Sequence, residues 1–554
     1  MRLVIAGAEI NCRSIIAARL RVALRPSAAW LPPAVLAAIC VVAFWPTVGY
    51  PFIQDDWIYL RYNAFHPHGP GFLAGAFTYR GGLFYRPLGE LYFGGLYQAF
   101  GLNPLGFHAF ALLVHFATSL LVVAAGVRLT GSRLVGWVAG GLYAGAAVAA
   151  VQPLLWLTGS LDLLAVLLSL TAFLLYARER HVLAALALVG AILCKESALP
   201  FVAILPAYHW LCRRERAASG RLASLRWAWP LLAGAAVLVL ASGRIDSFLS
   251  KPADHAYHVG LSAGELGGTT ASYLAWLGRT VVPSADFGLD TAMPPRFTTA
   301  ELAGFALAVL IALGLAYLVG GSLRRRAAPG PEGLDRRGAG FLLVWVALAL
   351  APALVLPNHR YAFYALPALP AFLLLAVGLF AAALRRVVHD RRVAAGALVL
   401  CATAVVAAGA EQLWRYEGVI SGWTTRQLLR RGLEPFVLGQ IEERVERGLR
   451  DRYASLPPAS ALVFEDVDAL ATHGEGAPQV WYRDRTLLAL EARRHGVDAG
   501  GLWIVEPSST FGKQGSTGDE GAKVYVDRPA AFVVRPDPVN EHEVEVVRLP
   551  GGTR

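Results

Sequence analysis

Long apolar stretches separated by short polar ones dominate the first 410 residues of the chain. A helix needs about 20 apolar residues to cross the hydrocarbon core of a bilayer. Eleven stretches meet or approach this length, which predicts an all-α polytopic membrane protein. The predicted spans are 30–49, 104–126, 134–151, 161–177, 182–196, 198–212, 227–243, 301–322, 340–357, 361–384 and 393–410.

The arginines of the polar connections test this count, because cytoplasmic loops carry an excess of Lys and Arg. With eleven spans, all the arginine-rich connections fall on the side of the N-terminus. They are 1–29, Arg128 with Arg133, Arg178 with Arg180, 213–226, 324–337 and 385–392. This parity predicts an inner or plasma membrane protein with a cytoplasmic N-terminus.

The domain boundaries follow from the same pattern. We predict a cytoplasmic segment over 1–29 and a membrane domain over 30–411, with outer loops at 50–103 and 244–300. Two moderately apolar segments in these loops, 88–100 and 264–283, are predicted to lie at the membrane interface, where amphipathic segments settle.

The pattern changes after about residue 411. Apolar residues recur at helical spacing over 424–453, and short strand-like runs separated by Gly and Pro follow. These features predict a small extracytoplasmic (periplasmic) α/β domain over 412–554. The predicted strands are 461–464, 501–505, 523–526, 531–534 and 544–547.

Composition agrees with a membrane protein, since 56% of the residues are hydrophobic and only 16% are charged. The formal net charge of +11 could indicate a nucleic-acid partner. The basic residues are instead dispersed in short clusters that topology explains, so we predict no nucleic-acid partner.

Ionisable residues also gather at the outer ends of the predicted helices, where charge is costly unless it has a use. The doublet Asp55-Asp56 directly follows the first span, and the other members come from later outer connections. They are Arg86, Asp162, Lys195, Glu196, His359 and Arg360, the last followed by Tyr361. Acids and bases on one face predict a site that handles a proton and an anionic group.

Each of these residues also has a purely structural interpretation. The doublet could end a helix, and Asp162 could be an acid in a first helical turn. Arg86 could lie in a surface loop, and Lys195-Glu196 could be a self-neutralising pair. Arg360-Tyr361 could extend to the interface. His108 and His115, on the second span, are typical of core histidines.

The order of the motifs adds a resemblance. Asp55-Asp56 is followed by Tyr-Arg-Pro-Leu at 85–88, His108-x6-His115, Trp-x2-Gly-x2-Asp at 156–162, Lys195-Glu196 and Arg360-Tyr361. This series resembles the GT-C glycosyltransferases over about residues 30–380, and most closely the protein O-mannosyltransferases and their relatives with tetratricopeptide repeats. Those repeats are absent here, and the C-terminal domain matches none of these families.

The resemblance implies an inverting membrane enzyme that passes a sugar from a polyprenyl-phosphate carrier to a hydroxyl of a protein or glycolipid acceptor. An acceptor hydroxyl needs a carboxylate to take its proton, and the leaving phosphate needs fixed cations. Asp55 is then the expected base. Asp56 and Asp162 would orient the acceptor or hold a divalent cation. The remaining six outer residues, Arg86, Lys195, Glu196, His359, Arg360 and Tyr361, would bind the donor phosphate.

Two other functional classes stay open at this stage. A transporter or flippase of lipid-linked saccharides also combines many helices with charge, and it predicts charges near the midplane and repeated halves. A membrane scaffold protein would use the outer domain for binding.

Overall fold

The structure is a computed structural model of the chain. It describes residues 2–5, 8–11, 30–66, 69–78, 84–213, 233–234, 236–237, 251–253, 255–281, 334–430, 435–465, 467, 471–492, 494–498, 501–505, 524–526 and 528–549.

Helices account for most of the described chain up to Ser421. Those of the first half are α1 (Leu31–Phe44), α2 (Asp56–Phe65), α3 (Pro70–Ala76), α4 (Pro87–Phe100), α5 (Pro104–Thr130), α6 (Arg133–Ala144), α7 (Ala147–Leu155), α8 (Ser160–Ala177), α9 (His181–Cys194) and α10 (Phe201–Arg213). They are followed by α11 (Ala263–Arg279), α12 (Arg336–Leu354), α13 (Leu369–Val387) and α14 (Arg391–Ser421). Short 3-10 turns lie at Trp45–Thr47, Leu157–Gly159, Glu196–Ala198 and Ala362–Ala365.

Five of these helices are long and apolar enough to cross a membrane: α5, α8 with its preceding turn, α12, α13 and α14. The pair α6 and α7 would be a sixth span, bent by 48° at its break. The shorter apolar helices are α1, extended to Thr47, and α9. The described chain therefore has the character of a multi-pass membrane protein.

Nine of the eleven predicted spans coincide with described helices, with differences at their ends. The predicted span 134–151 is broken between Ala144 and Ala147. The predicted span 361–384 begins as a helix only at Leu369, because residues 362–365 form a 3-10 turn. The span 301–322, all but four residues of 227–243, and most of the arginine segments 213–226 and 324–337 lie outside the described residues.

Local sequence explains how α5 begins, ends and packs. The Asn103 side chain accepts a hydrogen bond from the Leu105 N–H (3.1 Å), and the left-handed Gly131 ends the helix, as helix termini prefer. A Cβ on Gly126 would lie 2.7 Å from the Gly136 Cα. Only glycine permits this approach of α5 and α6, a common device in membrane helix pairs.

The two segments that we predicted to lie at the membrane interface are both helical. Residues 88–100 fall in α4 and residues 264–279 fall in α11. Helix α11 begins with a capping box, in which the Ser262 hydroxyl accepts from the Glu265 N–H and the Glu265 carboxylate accepts from the Ser262 N–H. Their position at an interface stays a prediction.

Helix α14 continues beyond the predicted domain boundary at residue 411. Its 31 residues correspond to about 46 Å at 1.5 Å per residue, well above the roughly 30 Å of hydrocarbon. The apolar first part is followed by a polar part that carries the Glu411–Arg415 ion pair (2.5 Å). A single helix thus joins the apolar part of the chain to the C-terminal domain.

The C-terminal domain combines helices α15 (Thr425–Leu429), α16 (Pro435–Arg452) and α17 (Gly476–Tyr482) with two sheets. The first sheet has the order β4-β3-β8-β9, with β3 parallel to β4 and β8 and with β9 antiparallel to β8. The second has the antiparallel order β5-β6-β7. The strands are β3 (Ala461–Glu465), β4 (Leu488–Ala492), β5 (Arg494–Asp498), β6 (Gly501–Val505), β7 (Val524–Tyr525), β8 (Ala531–Pro536) and β9 (Val544–Arg548), and a hairpin near the N-terminus pairs β1 (Arg2–Ile5) with β2 (Ala8–Asn11).

Helix α16 packs directly on the chain that leads to the Asp55-Asp56 doublet. The Tyr50 ring meets the Phe436 ring edge to face, with centroids 5.1 Å apart. A Cβ on Gly439 would lie 2.4 Å from the Tyr50 ring, so only glycine permits this packing. The C-terminal domain and the segment that leads to Asp55-Asp56 therefore share one apolar core.

Candidate functional site

The two carboxylates of the doublet have opposite surroundings, because α2 begins between them. Asp56, the first helical residue, is fully buried. Its Oδ1 accepts hydrogen bonds from the Thr158 N–H (2.6 Å) and hydroxyl (2.7 Å). Its Oδ2 accepts from the Ile53 N–H (3.1 Å) and the Leu157 N–H (3.3 Å). Burial raises the pKa of Asp56 to about 7, against the opposing effect of these four donors.

Asp56 therefore ties the start of α2 and the preceding segment to the turn at 157–159. Both of its oxygens already accept two hydrogen bonds, which argues against the expected contact with an acceptor or a cation and favours a structural role. Asp55 differs, since 46% of its side chain is exposed. Of the two acids, Asp55 is the one that a substrate can reach.

Arg86 and Glu196 form an ion pair that joins the N-terminus of α4 to the turn after α9. The Arg86 Nε donates to the Glu196 Oε2 (3.0 Å), and its Nη2 donates to Oε1. Burial alone would raise the pKa of Glu196, but the charge and hydrogen bonds of Arg86 outweigh it and lower the pKa to about 2. The Glu196 side chain is 47% exposed, whereas that of Arg86 is 11% exposed. The carboxylate is therefore the more accessible partner of this pair.

Lys195 and Asp162 form a second, buried ion pair, joined to the first through the adjacent residues Lys195 and Glu196. The Lys195 Nζ lies 2.5 Å from the Asp162 Oδ2, and the Ser197 hydroxyl donates to Oδ1 (2.9 Å). The rings of Phe363 and Tyr364 lie near the ammonium, with centroids 5.3 and 5.9 Å from Nζ. Asp162 is thus occupied by protein partners. The interpretation of Lys195-Glu196 as a self-neutralising pair is wrong, because each residue pairs with a different element.

Residues 359–361 bring a histidine, an arginine and a tyrosine to the same region. The His359 ring lies 4.2 Å from the Tyr257 ring and 4.7 Å from the Tyr361 ring, between centroids. Burial, followed by the positive charges of Lys195 and Arg86, lowers the pKa of His359 to about 3. The imidazole is therefore neutral at physiological pH.

Arg360 has a neutral hydrogen-bond partner. Its Nη1 donates to the hydroxyl of Ser272 on α11 (3.4 Å). Among the described cations of this region, Arg86 and Lys195 each bond a carboxylate, whereas Arg360 bonds a hydroxyl. Of these three cations, Arg360 is consequently the one best placed to bind an anionic ligand.

Electrostatic effects link Asp55 to these groups. After the larger effect of burial, the charge of Asp55 raises the pKa of Tyr361. The charges of Arg86, Glu196 and Asp55 also act on the Tyr257 hydroxyl, whose pKa burial raises. We refer to Asp55, Arg86, Glu196, Tyr257, His359, Arg360 and Tyr361 together as the charged cluster.

The two histidines of α5 lie in the core, as their structural interpretation predicted. The ring nitrogens of His108 lie 2.7 Å from the Leu154 carbonyl oxygen and 2.9 Å from that of Tyr50. His115 Nε2 lies 3.1 Å from the Ala144 carbonyl oxygen, where α6 ends. These contacts position the loop before Asp55 and the break between α6 and α7.

The structure adds residues that sequence reasoning missed. Thr158 donates two hydrogen bonds to Asp56. It lies within the Trp156–Asp162 motif, so the motif could have identified it as a site residue. His473 lies beside Asp55, with 3.8 Å between Nε2 and Oδ1. No local motif marks His473, because only the packing of the C-terminal domain brings it there. Among the described residues, no group of three or more His, Cys, Asp and Glu side chains could hold a metal ion.

Comparisons with known proteins give similarity only at the level of solved structures. No protein-family model matches the chain, and no curated protein matches it. One similar structure is ArnT from Cupriavidus metallidurans bound to undecaprenyl phosphate, at 15% identity and a TM-score of 0.43 over 94% of this chain and 98% of that chain. Another is the apo state of the same protein, at 14% identity and a TM-score of 0.36 with the same coverage.

Proposed function

We propose that this chain is a membrane glycosyltransferase that moves a sugar from a polyprenyl-phosphate carrier to an acceptor hydroxyl, with Asp55 as the general base. One observation carries the proposal: the half-exposed Asp55 carboxylate acts on Tyr257, as Arg86 and Glu196 do, and on Tyr361 beside Arg360, and these charges lie at the ends of apolar helices. This combination suits a reaction that takes a proton from one substrate and releases an anion from the other.

The chemistry assigns a role to each charged group. The acceptor hydroxyl gives its proton to an Asp55 oxygen as its own oxygen bonds the anomeric carbon. The bond from that carbon to the phosphate oxygen breaks, and the phosphate leaves with the electron pair. Arg360 would bind the phosphate, since its planar guanidinium suits two oxygens. Bound substrates would displace water from Arg360, which would strengthen this interaction.

The two ion pairs would act chiefly as supports. Lys195 is 5% exposed and Arg86 is 11% exposed, and each already bonds a carboxylate. Their remaining donors can add positive potential beneath the phosphate, while Glu196 and Asp162 hold them in place. Asp56 would act indirectly, by fixing the segment that carries Asp55.

Finer features follow the resemblance in the sequence. The proposed donor is a mannosyl phosphate lipid, the proposed acceptor is a protein or glycolipid hydroxyl, and direct displacement would invert the anomeric centre. The charged cluster and the C-terminal domain would face the extracytoplasmic side. The steps described above need no divalent cation. If the enzyme uses one, Asp55 would be the carboxylate available to bind it.

The positions of the charges favour a transferase over a permeation path. Asp162 is the third residue of α8, and Lys195 directly follows α9. These described charges lie at helix ends, whereas a transport route predicts charges near the middle of the bilayer.

The test is transfer by the purified full chain in liposomes, with polyprenyl phosphates that carry radiolabelled mannose or other hexoses. We expect label to move from at least one donor into a membrane acceptor fraction, and the product's anomeric configuration to be opposite to that of the donor. If no donor is consumed while intact lipid-linked saccharide accumulates inside the vesicles, the transferase proposal fails in favour of transport.

A further inference from the structure

The C-terminal domain contributes a residue to the candidate site through a loop that precedes α17. His473 lies in this loop, with its Nε2 3.8 Å from the Asp55 Oδ1, and 38% of its side chain is exposed. The separation exceeds a direct hydrogen bond, but catalytic contacts are often long before substrate binds. One water or a small rotation would connect the two groups.

Several contacts hold this loop against the start of α2. The Gln54 N–H donates to the Ala471 carbonyl oxygen (3.1 Å). The Trp57 and Trp481 rings meet edge to face, with centroids 5.6 Å apart. A Cβ on Gly476 would lie 3.2 Å from the Trp57 Cβ. The residues on both sides of Asp55 are therefore fixed by the C-terminal domain.

The backbone conformation beside the pair is unusual on both sides. Gln54 and His473 each have a φ of 51°, in the left-handed region that residues other than glycine rarely adopt. The surrounding hydrogen bonds enforce this conformation at His473, because the Gly476 N–H donates to its carbonyl oxygen (3.1 Å) and the Ala477 N–H donates to that of Thr472 (3.0 Å). Such enforced conformations gather at functional sites.

We propose that His473 is the proton acceptor for Asp55, so that the C-terminal domain completes the catalytic site. The proposal rests on the proposed transfer function. The acceptor hydroxyl gives its proton to Asp55 as the new glycosidic bond forms and the phosphate leaves. Asp55 then passes that proton to the His473 Nε2, which releases it to water at the exposed edge. The products are the glycoside, the polyprenyl phosphate and one proton.

The relay explains how Asp55 is regenerated. When acceptor and donor cover the Asp55 carboxyl group, it would otherwise hold its proton until the product leaves. A partly exposed imidazole can carry the proton to solvent, because one ring nitrogen can take up a proton while the other releases one.

Variants at His473 must respect its left-handed backbone. His473→Asn suits this conformation and cannot carry a proton. His473→Gly is unstrained there and leaves space for an added imidazole. His542, an exposed histidine of the same domain, gives the matched control His542→Asn. All variants are made in the full chain and compared in the liposome assay.

We expect His473→Asn to lower kcat by roughly 10- to 100-fold, within the range of general acid–base contributions, with an unchanged donor KM and melting temperature. Added imidazole should restore much of the rate of His473→Gly and leave His542→Asn unaffected. Wild-type activity in His473→Asn overturns the relay and leaves the transferase proposal standing. If imidazole does not rescue His473→Gly, or if the lower kcat of His473→Asn comes with a lower melting temperature, His473 has a structural role. Either result also overturns the relay. If the wild-type chain transfers from no donor, the proposed function fails, and the relay fails with it.

Discussion

Asp56→Asn is the substitution that most sharply tests the different roles of the two adjacent acids. The Asp56 carboxylate is fully buried and accepts four hydrogen bonds, three of them from backbone N–H groups. An asparagine can keep its oxygen toward Thr158. Its NH2 group then faces the N–H groups of Ile53 and Leu157, which lose their acceptor.

The expected cost follows from these two donors. A buried donor left without an acceptor costs about 1–3 kcal/mol, so two of them predict a loss of about 2–6 kcal/mol in the free energy of unfolding. The assay is unfolding of the purified protein in mixed micelles, followed by tryptophan fluorescence. Trp57 is a suitable reporter because it packs between Phe52 and Trp481.

Asp55→Asn is the matched control for stability. The Asp55 side chain is half-exposed, and surface changes usually alter stability by less than about 0.5 kcal/mol. We therefore expect Asp55→Asn to unfold like the wild-type protein. Equal stability of Asp56→Asn and the wild-type protein would refute the account of Asp56 as the anchor of this loop.

Three further predictions concern packing, the buried ion pair and pH. Gly439→Ala should lower the melting temperature by several degrees, because the new Cβ would lie 2.4 Å from the Tyr50 ring. The control Gly418→Ala, whose Cβ would have no neighbour within 4 Å, should not lower it. Equal melting temperatures of the two variants would contradict the packing of Gly439 on Tyr50. Lys195→Met should lower the free energy of unfolding by about 3–5 kcal/mol, because it leaves the Asp162 carboxylate buried without its cation. Adding Asp162→Asn should restore most of that stability in the double variant. If the losses of the two single variants add in the same unfolding assay, the pairing of Lys195 with Asp162 is contradicted. The unfolded chain takes up a proton on His359 near its ordinary pKa of 6.5, whereas the folded chain does so only near 3. The wild-type melting temperature should therefore fall more than that of His359→Gln as pH drops from 8 to 4, and parallel curves would show that His359 is not held neutral.

The hydrophobic pattern predicted where the helices lie better than it predicted where they break. Most of each long apolar run that the structure describes is helical, since a helix satisfies its own backbone in lipid. The break at 144–147 lies inside one apolar run, so the sequence carried no polar signal for it. The 3-10 turn at 362–365 was hidden for the same reason.

The C-terminal domain shows a similar division. All five predicted strand runs fall on strands, because their β-branched and aromatic residues are bounded by turn residues. The strands Leu488–Ala492 and Arg494–Asp498 were missed. They mix alanine, glutamate and arginine with few β-branched residues, so only their pairing in the sheets identifies them.

For the candidate site, the sequence identified residues but not their partners. Arg86, Asp162, Lys195 and Glu196 were recognised as outer charges, yet the crossed pairing of the four depends on how α4, α8 and α9 pack. The different environments of Asp55 and Asp56 depend on the turn at 157–159. His473 was beyond sequence reasoning, because more than 400 residues separate it from Asp55.

The most direct test of the central claim is the rate of sugar transfer by Asp55→Asn in liposomes, measured together with donor binding. The matched control is Asp451→Asn, an exposed aspartate on α16. If Asp55 is the general base, its variant should bind the donor as the wild-type protein does and transfer sugar at least 100-fold more slowly, while Asp451→Asn retains full activity. Transfer by Asp55→Asn at the wild-type rate would contradict the account.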